Sequence, residues 1–308
     1  MTRLRIAQTI CSLLPPLVAQ KARNKIFPLS EGQRLNASFT RKSVTGSPFT
    51  GNTADYHSYR MAVTGYFEWR NIVIANYFIK RKKGDIIEIG ANVGTETVSF
   101  CDIAKPNNVH AFEPMPQNIA DLSVLKKNLP NLHLYHNAIS NTATTVRFRM
   151  PPPESSGTGK IVTENTSTDN DTLIDIKTAP LDSFLEKFNS VTFVSIDTEG
   201  HEPFVLKGSR AVFEKFSPAV VIEVCPSLLE KYANAGAKDI FDFFDSTGYC
   251  CYQINSLSLQ EISPEMLKDK KAHNWLCVPK RDKPMILKLE KTLKIRALVP
   301  WFLLPALG

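Results

Sequence analysis

From residue 85 onward, short apolar runs alternate with stretches of helical periodicity. DIIEIG (85–90) precedes a helical pattern from Thr95 to Ala104, and NVHAFEP (108–114) precedes one from Pro116 to Asn128. LHLYHNAIS (132–140) and TTVRFRM (144–150) read as two further strands. FVSID (193–197) leads into a helix from Pro203 to Phe216, and AVVIEV (219–224) precedes one from Ala237 to Ser246. CCYQI (250–254) and NWLCVP (274–279) supply late strands. Strands alternating with helices build βαβ units, and the continuous apolar character of IIEIG and VVIEV fits central strands covered on both sides. The expected fold is α/β, a doubly wound, mostly parallel sheet with helices on both faces.

The rest of the chain patterns differently. Residues 31–84 hold a polar, Ser/Thr/Gly-containing stretch and then YFEWRNIVIANYFIKRKK (66–83), a helix leading into the first strand. Residues 150–171 are the most loop-like stretch of the body, and so long a loop in a compact domain is either a lid or disordered. The start, MTRLRIAQTICSLLPPLVAQ, has the basic opening and short apolar stretch of a signal peptide, but Pro15 and Pro16 break it and no cleavage site follows cleanly. Near the end, Ile286, Leu289, Leu293 and Ala297 recur at helical spacing, with Lys288, Lys291 and Lys294 largely opposite and Trp301 and Phe302 following. Such a helix either docks on its own domain or lies in an anionic membrane interface. The pattern divides the chain into a basic N-terminal extension and linker (1–59), a main domain (60–280) and a basic amphipathic tail (281–308).

Composition narrows the classes. With 308 residues, 43% hydrophobic and 22% charged, the chain can bury a core. The net charge of +7 belongs to the ends: residues 1–30 carry five Lys/Arg and no acid, and residues 267–308 carry ten against three acids. The body between them is therefore mildly acidic, not a basic, aromatic-interleaved nucleic-acid face, and no nucleic-acid partner is expected. No apolar run is long enough to span a membrane. The six cysteines show neither paired metal-ligand spacing nor a disulfide framework, which fits free thiols in the cytoplasm. The basic ends leave room for peripheral contact with the inner membrane face.

After the first strand the chain reads Glu88-Ile89-Gly90-Ala91-Asn92-Val93-Gly94. Open α/β sheets bind ligands at the carboxyl ends of their strands, where strand order reverses. Gly90 permits a sharp exit, and Gly94 a close backbone approach. Asn92 stands where a dinucleotide fingerprint needs its second glycine, which disfavours a pyrophosphate, and no P-loop sequence occurs. Glu113 closes the second strand, about 20 residues on, where such folds hold ribose hydroxyls. A nucleoside without a pyrophosphate, S-adenosylmethionine, is the natural ligand. Asn137, after the third strand, sits where the adenine edge would lie.

These segments, with Phe112-Glu113-Pro114, Asn137-Ala138-Ile139-Ser140, Leu181-Asp182, Ile196 to Glu202 and Val221-Ile222-Glu223-Val224, resemble the FkbM family of S-adenosylmethionine-dependent methyltransferases over about residues 60–279. The resemblance implies the class I methyltransferase fold and O-methylation of hydroxyls on sugars, polysaccharides or polyketide products. Glu88 replaces the Asp more usual in the family, Ser195 stands where Lys is common, and His201 where Ala is common. The expected cofactor-binding residues are Glu88, Gly90, Ala91, Asn92, Gly94, Glu113 and Asn137.

Asp197, Glu199, His201 and Glu202 cluster after the fourth sheet strand and are the catalytic candidates. A sugar hydroxyl needs a proton acceptor, and a positioned carboxylate or a near-neutral imidazole suits that role. Glu202 before Pro203 also fits a plain helix start. A divalent ion such as magnesium on Asp197, Glu199 or Glu223 is compatible with the residues but not demanded by their spacing. Tyr66 and Glu68 either cover the methionine end of the cofactor or form an ordinary helix face. The expectation is an O-methyltransferase acting on a hydroxyl of a glycan or related saccharide. The alternatives are a polyketide or lipid-headgroup O-methyltransferase and a non-catalytic, membrane-associated scaffold; the [DN]-P-P-[YF] signature of nucleic-acid amino-methyltransferases is missing.

Overall fold

The computed structural model describes residues 2–163, 166–168 and 170–303; residues 304–308 of the amphipathic tail and 164, 165 and 169 of the long loop lie outside the described residues. An eight-stranded sheet runs, edge to edge, Leu259–Glu261, Tyr249–Ile254, His273–Pro279, Ala219–Val224, Val191–Ile196, Asp85–Ile89, Val109–Phe112, Leu132–Tyr135. Asp85–Ile89 lies at its centre, parallel to Val109–Phe112 on one side and Val191–Ile196 on the other. Strand order therefore reverses at Asp85–Ile89, and the carboxyl ends of the two central neighbours open side by side. His273–Pro279 runs antiparallel to both of its neighbours. The expected doubly wound α/β sheet is what the chain forms.

Alternation along the strands fills both faces. Ile86, Phe193 and Val221 point into one core with the helices Trp69–Lys82 and Thr97–Ala104. Ile87, Val194 and Ile222 point into the other, with Glu202–Lys207, Arg210–Phe216 and Ala237–Ser246.

Several elements depart from the sequence expectation. The helix expected from Pro203 to Phe216 breaks into two at Gly208, where a β-carbon would stand 2.0 Å from the Ser140 carbonyl oxygen, so that the loop after the third strand presses on the helix backbone. LHLYHNAIS divides: Leu132–Tyr135 joins the main sheet, and Ala138–Ile139 joins a four-stranded sheet with Leu173–Ala179, Thr145–Arg149 and Lys160–Ile161. The polar stretch after residue 31 contains a hairpin, Ser38–Lys42 with Pro48–Asn52, and a helix, Tyr56–Thr64.

The ends are helical and packed. Thr2–Leu13, Pro16–Ile26 and Leu29–Leu35 bury Leu4, Ala7, Ala19 and Gly32, and the Pro15-Pro16 pair separates the first two helices. Ile286–Leu298 buries Ile286, Leu289, Leu293 and Ala297 in the same cluster as Ile72 and Phe78. The stripe that offered either an internal or a membrane contact is thus part of the core. One cluster runs through all three segments distinguished by composition.

Candidate functional site

The site grows out of the strand-order reversal. At the exit of Asp85–Ile89, Gly90 has φ +87°, and a β-carbon there would lie 1.9 Å from the Asp197 carbonyl oxygen. Any side chain would push the two central strands apart. The Gly90 and Ala91 N–H groups donate to the Phe112 carbonyl (3.0 and 3.1 Å), which turns the chain back over the second strand. Asn92 follows with φ +49°, a left-handed conformation that Asn tolerates better than most residues. Its N–H donates to Glu113 Oε2 (2.8 Å), while Met115 N–H (2.9 Å) and Asn118 Nδ2 (3.2 Å) donate to Oε1. Glu113 is thereby fixed at the strand end. Burial pushes its carboxyl above the usual range, against these hydrogen bonds.

A cleft with two lobes opens above this turn. The larger, about 580 Å³, has apolar walls from Phe112, Met115, Ala138, Ile139 and Phe148, with Glu113, Asn118 and Asn137 among its polar groups. The smaller, about 490 Å³, is lined by His57, Phe67, Glu88, Ala91, Thr95, Glu96 and Ser195. Ile89, Gly90, Asn92, Gly157, Asp197 and Glu199 border both, so two carboxylates stand at the junction.

The cleft is acidic. Asp197 is exposed to the lumen it lines, yet it sits deep in the fold; that depth and the nearby Glu223, Glu199 and Glu202 push its carboxyl well above the usual range. Burial and Glu68 raise Glu96 to about 8, and burial raises Glu88, which accepts a hydrogen bond from the Thr97 hydroxyl (2.6 Å). Glu199, with φ +55°, accepts from Lys160 Nζ (2.7 Å). Among the described residues no three His, Cys, Asp or Glu side chains converge as a metal site.

Not every expected residue reaches the cleft. Glu202 is 1% exposed and its carboxylate accepts from Thr198 N–H and hydroxyl (2.9 Å each) and from Gly200 N–H (3.1 Å). It folds the turn after the strand and is not among the cleft-lining residues, which removes it from the catalytic candidates. Gly94, an expected cofactor contact, faces Leu122 and Leu125 of the Pro116–Lys126 helix and is not among the cleft-lining residues. His201 lines the larger lobe, but its expected near-neutral titration does not hold: burial lowers it to about 4. Its Nε2 lies 2.9 Å from the Ser140 hydroxyl and its ring stacks on Phe204. NMR titration of the imidazoles should show one titrating near 4 that disappears in His201→Gln; a single cluster near 6.5 would contradict this burial.

No motif in the sequence singles out His57, Phe67, Glu96 or Asn118: the first two come from elements distant in the chain from the glycine turn, and the last two stand at the starts of the helices that follow Gly94 and Glu113. Tyr66 is buried and is not among the cleft-lining residues, and Glu68 pairs with Arg60 (2.8 Å). The long loop forms the roof through Ser156, Gly157 and Gly159. Its latch is Asp55, whose Oδ1 caps Tyr56–Thr64 by accepting from Ser58 N–H (2.7 Å) while Oδ2 accepts from Ser156 N–H (3.0 Å). Tyr56 N–H donates to the Glu154 carbonyl (3.0 Å) beside it. Burial pushes the Asp55 carboxyl up, but His57 and the Ser58 and Ser156 N–H groups outweigh it and hold it at about 2. A folded-state value below the ordinary one stabilises above the ordinary value, and that contribution is lost as pH falls through the folded value. Asp55→Asn should therefore lower stability by about 2 kcal/mol at neutral pH, with the gap closing between roughly pH 4 and pH 2. Urea unfolding across that range checks it, and a gap independent of pH would refute it.

The cleft holds groups that could receive an adenosyl sulfonium: an apolar slot, a fixed carboxylate at Glu113, and two more carboxylates at the junction. Asn118 Oδ1 and Glu96 Oε1 are buried without hydrogen-bond partners among the described residues, which leaves acceptors for a polar ligand. The hexuronic acid methyltransferase AglP of Haloferax volcanii is 29% identical over 156 residues, covering 50% of this chain and 58% of its own length, so the match spans little more than half of that relative. A solved methyltransferase FkbM from Methylobacillus flagellatus is 14% identical, with 84% of this chain and 60% of that one covered and a TM-score of 0.42. Aeropyrum pernix fibrillarin, solved with S-adenosyl-L-methionine, is 13% identical, with coverage of 68% and 76% and a TM-score of 0.36. The methyltransferase FkbM domain model matches residues 88–251, more than half of the chain and a span that holds the glycine turn, Glu113 and the Asp197–Glu202 segment, and the protein belongs to that family of methyltransferases.

Proposed function

We propose that this methyltransferase uses S-adenosylmethionine to O-methylate a hydroxyl of a saccharide. The observation that carries the reading is the position of Asp197 and Glu199 where the two lobes of the cleft meet, with Glu113 fixed in the larger lobe. S-adenosylmethionine supplies an electrophilic methyl group on a sulfonium. Glu113 accepts the ribose hydroxyls on the oxygen lone pairs left free by its backbone donors, and Phe112, Met115 and Ile139 hold the base beside Asn137. Glu88, Gly90, Ala91 and Asn92 form the floor. Asp197 takes the acceptor hydroxyl's proton, and Glu199, braced by Lys160, orients that hydroxyl; alignment of this kind supplies much of the rate in an in-line displacement. His201 stays neutral and positions Ser140.

Behind Glu199, Lys160 and Arg149 gather around Tyr232. Arg149 donates to the Tyr232 hydroxyl (2.7 Å), and Lys160 Nζ lies 5.4 Å from the Tyr232 ring centre. A saccharide acceptor is in keeping with the hexuronic acid in the relative's name.

Two measurements test the reading. Calorimetry should detect S-adenosylhomocysteine binding; none would favour the non-catalytic scaffold. Mass spectrometry of glycans from cells with and without the gene should reveal a species lighter by one CH₂ unit in its absence. Binding with unchanged glycans and a changed polyketide or lipid headgroup would move the acceptor to that class.

A further inference from the structure

Most of the large apolar side chains that the described residues leave in solvent belong to the two ends. On Thr2–Leu13, Ile6, Ile10 and Leu13 recur at i, i+4 and i+7 and form one ridge, turned away from the buried Leu4, Ala7 and Cys11. On Ile286–Leu298, the side opposite the buried stripe carries Leu287 and Leu298, 80% and 60% exposed, with Ile295 between them. Phe302 and Leu303 add two more exposed apolar side chains. The ends are neighbours: Thr2–Leu13 packs on the turn Trp301–Leu303, and Ile286–Leu298 packs on Pro16–Ile26.

Scattered exposed apolar residues need no explanation, but a concentration of them in one region of the fold does. Its setting is basic. Arg3, Arg5, Lys288, Lys291 and Lys294 are exposed among these apolar groups, while the body from 31 to 266 is acidic overall. Two copies meeting through this region would bring like charges together, whereas an anionic bilayer offers opposite charge and an apolar layer beneath it. No helix among the described residues is long and apolar enough to cross a membrane, so attachment through these helices would be peripheral. The Trp301 ring packs 5.9 Å from that of Tyr66, whose neighbour Phe67 lines the cleft.

We propose that the two ends together form a docking surface for an anionic lipid bilayer, built from the Ile6–Ile10–Leu13 ridge and the Leu287–Ile295–Leu298 side rather than from the stripe that the sequence alone singles out. The surface lies outside the span matched by the family model.

Flotation of the purified full chain with vesicles tests this. The chain should float with phosphatidylcholine vesicles containing phosphatidylglycerol, stay behind with phosphatidylcholine alone, and detach in high salt. Lys288→Glu with Lys291→Glu, and separately Leu298→Asp with Phe302→Asp, should each reduce binding by at least about tenfold. All four positions are exposed, so both variants should keep the wild-type circular dichroism and thermal midpoint. Absence of the wild-type chain from the anionic vesicles overturns the proposal, as does equal binding to neutral ones. A dimer by light scattering that Leu298→Asp converts to monomer would also overturn it, because a second copy would then cover the surface.

Discussion

Glu113→Ala is expected to weaken S-adenosylhomocysteine binding by about a hundredfold or more, since each hydrogen bond from a ribose hydroxyl to a carboxylate contributes roughly 1.5–3 kcal/mol. The substitution has a second effect. Glu113 accepts the Asn92 and Met115 N–H groups, so alanine leaves both donors without that partner beside the glycine turn. Glu113→Gln separates the two effects, because its amide oxygen still accepts a backbone N–H while the charge is lost. Calorimetry on both variants, with circular dichroism as the control for folding, gives the order wild type, Gln, Ala. Wild-type affinity in a folded alanine variant would remove Glu113 from the cofactor site.

Asp197→Asn should lower methyl transfer by about 10²–10⁴-fold, the usual contribution of a positioned proton acceptor. The readout is labelled methyl entering a saccharide fraction. Because Asp197 borders both lobes of an acidic cleft, it should also discriminate by charge once ionised: above its raised titration the variant loses affinity for cationic S-adenosylmethionine but little for neutral S-adenosylhomocysteine. The pH dependence has a definite sign. A carboxyl held above the usual range by its depth in the fold and by Glu223, Glu199 and Glu202 accepts a proton only once ionised. Turnover should therefore rise with pH through a value above the ordinary carboxylate range, and that limb should vanish in the variant. Unchanged turnover in Asp197→Asn would transfer the base role to another group, with Glu199 the nearest candidate in the cleft.

Much of the cleft floor was readable from local order. Gly90, Asn92 and Glu113 occupy fixed steps after strands whose apolar continuity gives them away, and a strand end can be located by counting. Glu202 was ambiguous for a physical reason: a carboxylate at a helix start serves a turn or a substrate with the same spacing, and only the Thr198 and Gly200 donors decide between them. His201 shows the same limit, because its titration depends on burial that arises from packing against Phe204 and Ser140.

The sequence by itself determined the alternation of strand and helix, the glycine turn, the acid beyond it and the carboxylates after the fourth sheet strand, because each is set by neighbours within a few residues. Tertiary structure decided what distant segments bring to one place: His57 and Phe67 at the smaller lobe, the roof latched by Asp55, and the terminal stripe committed to the core. The physical reason is that local spacing fixes which face a residue shares with its neighbours, while only packing between elements remote in the chain fixes what that face meets.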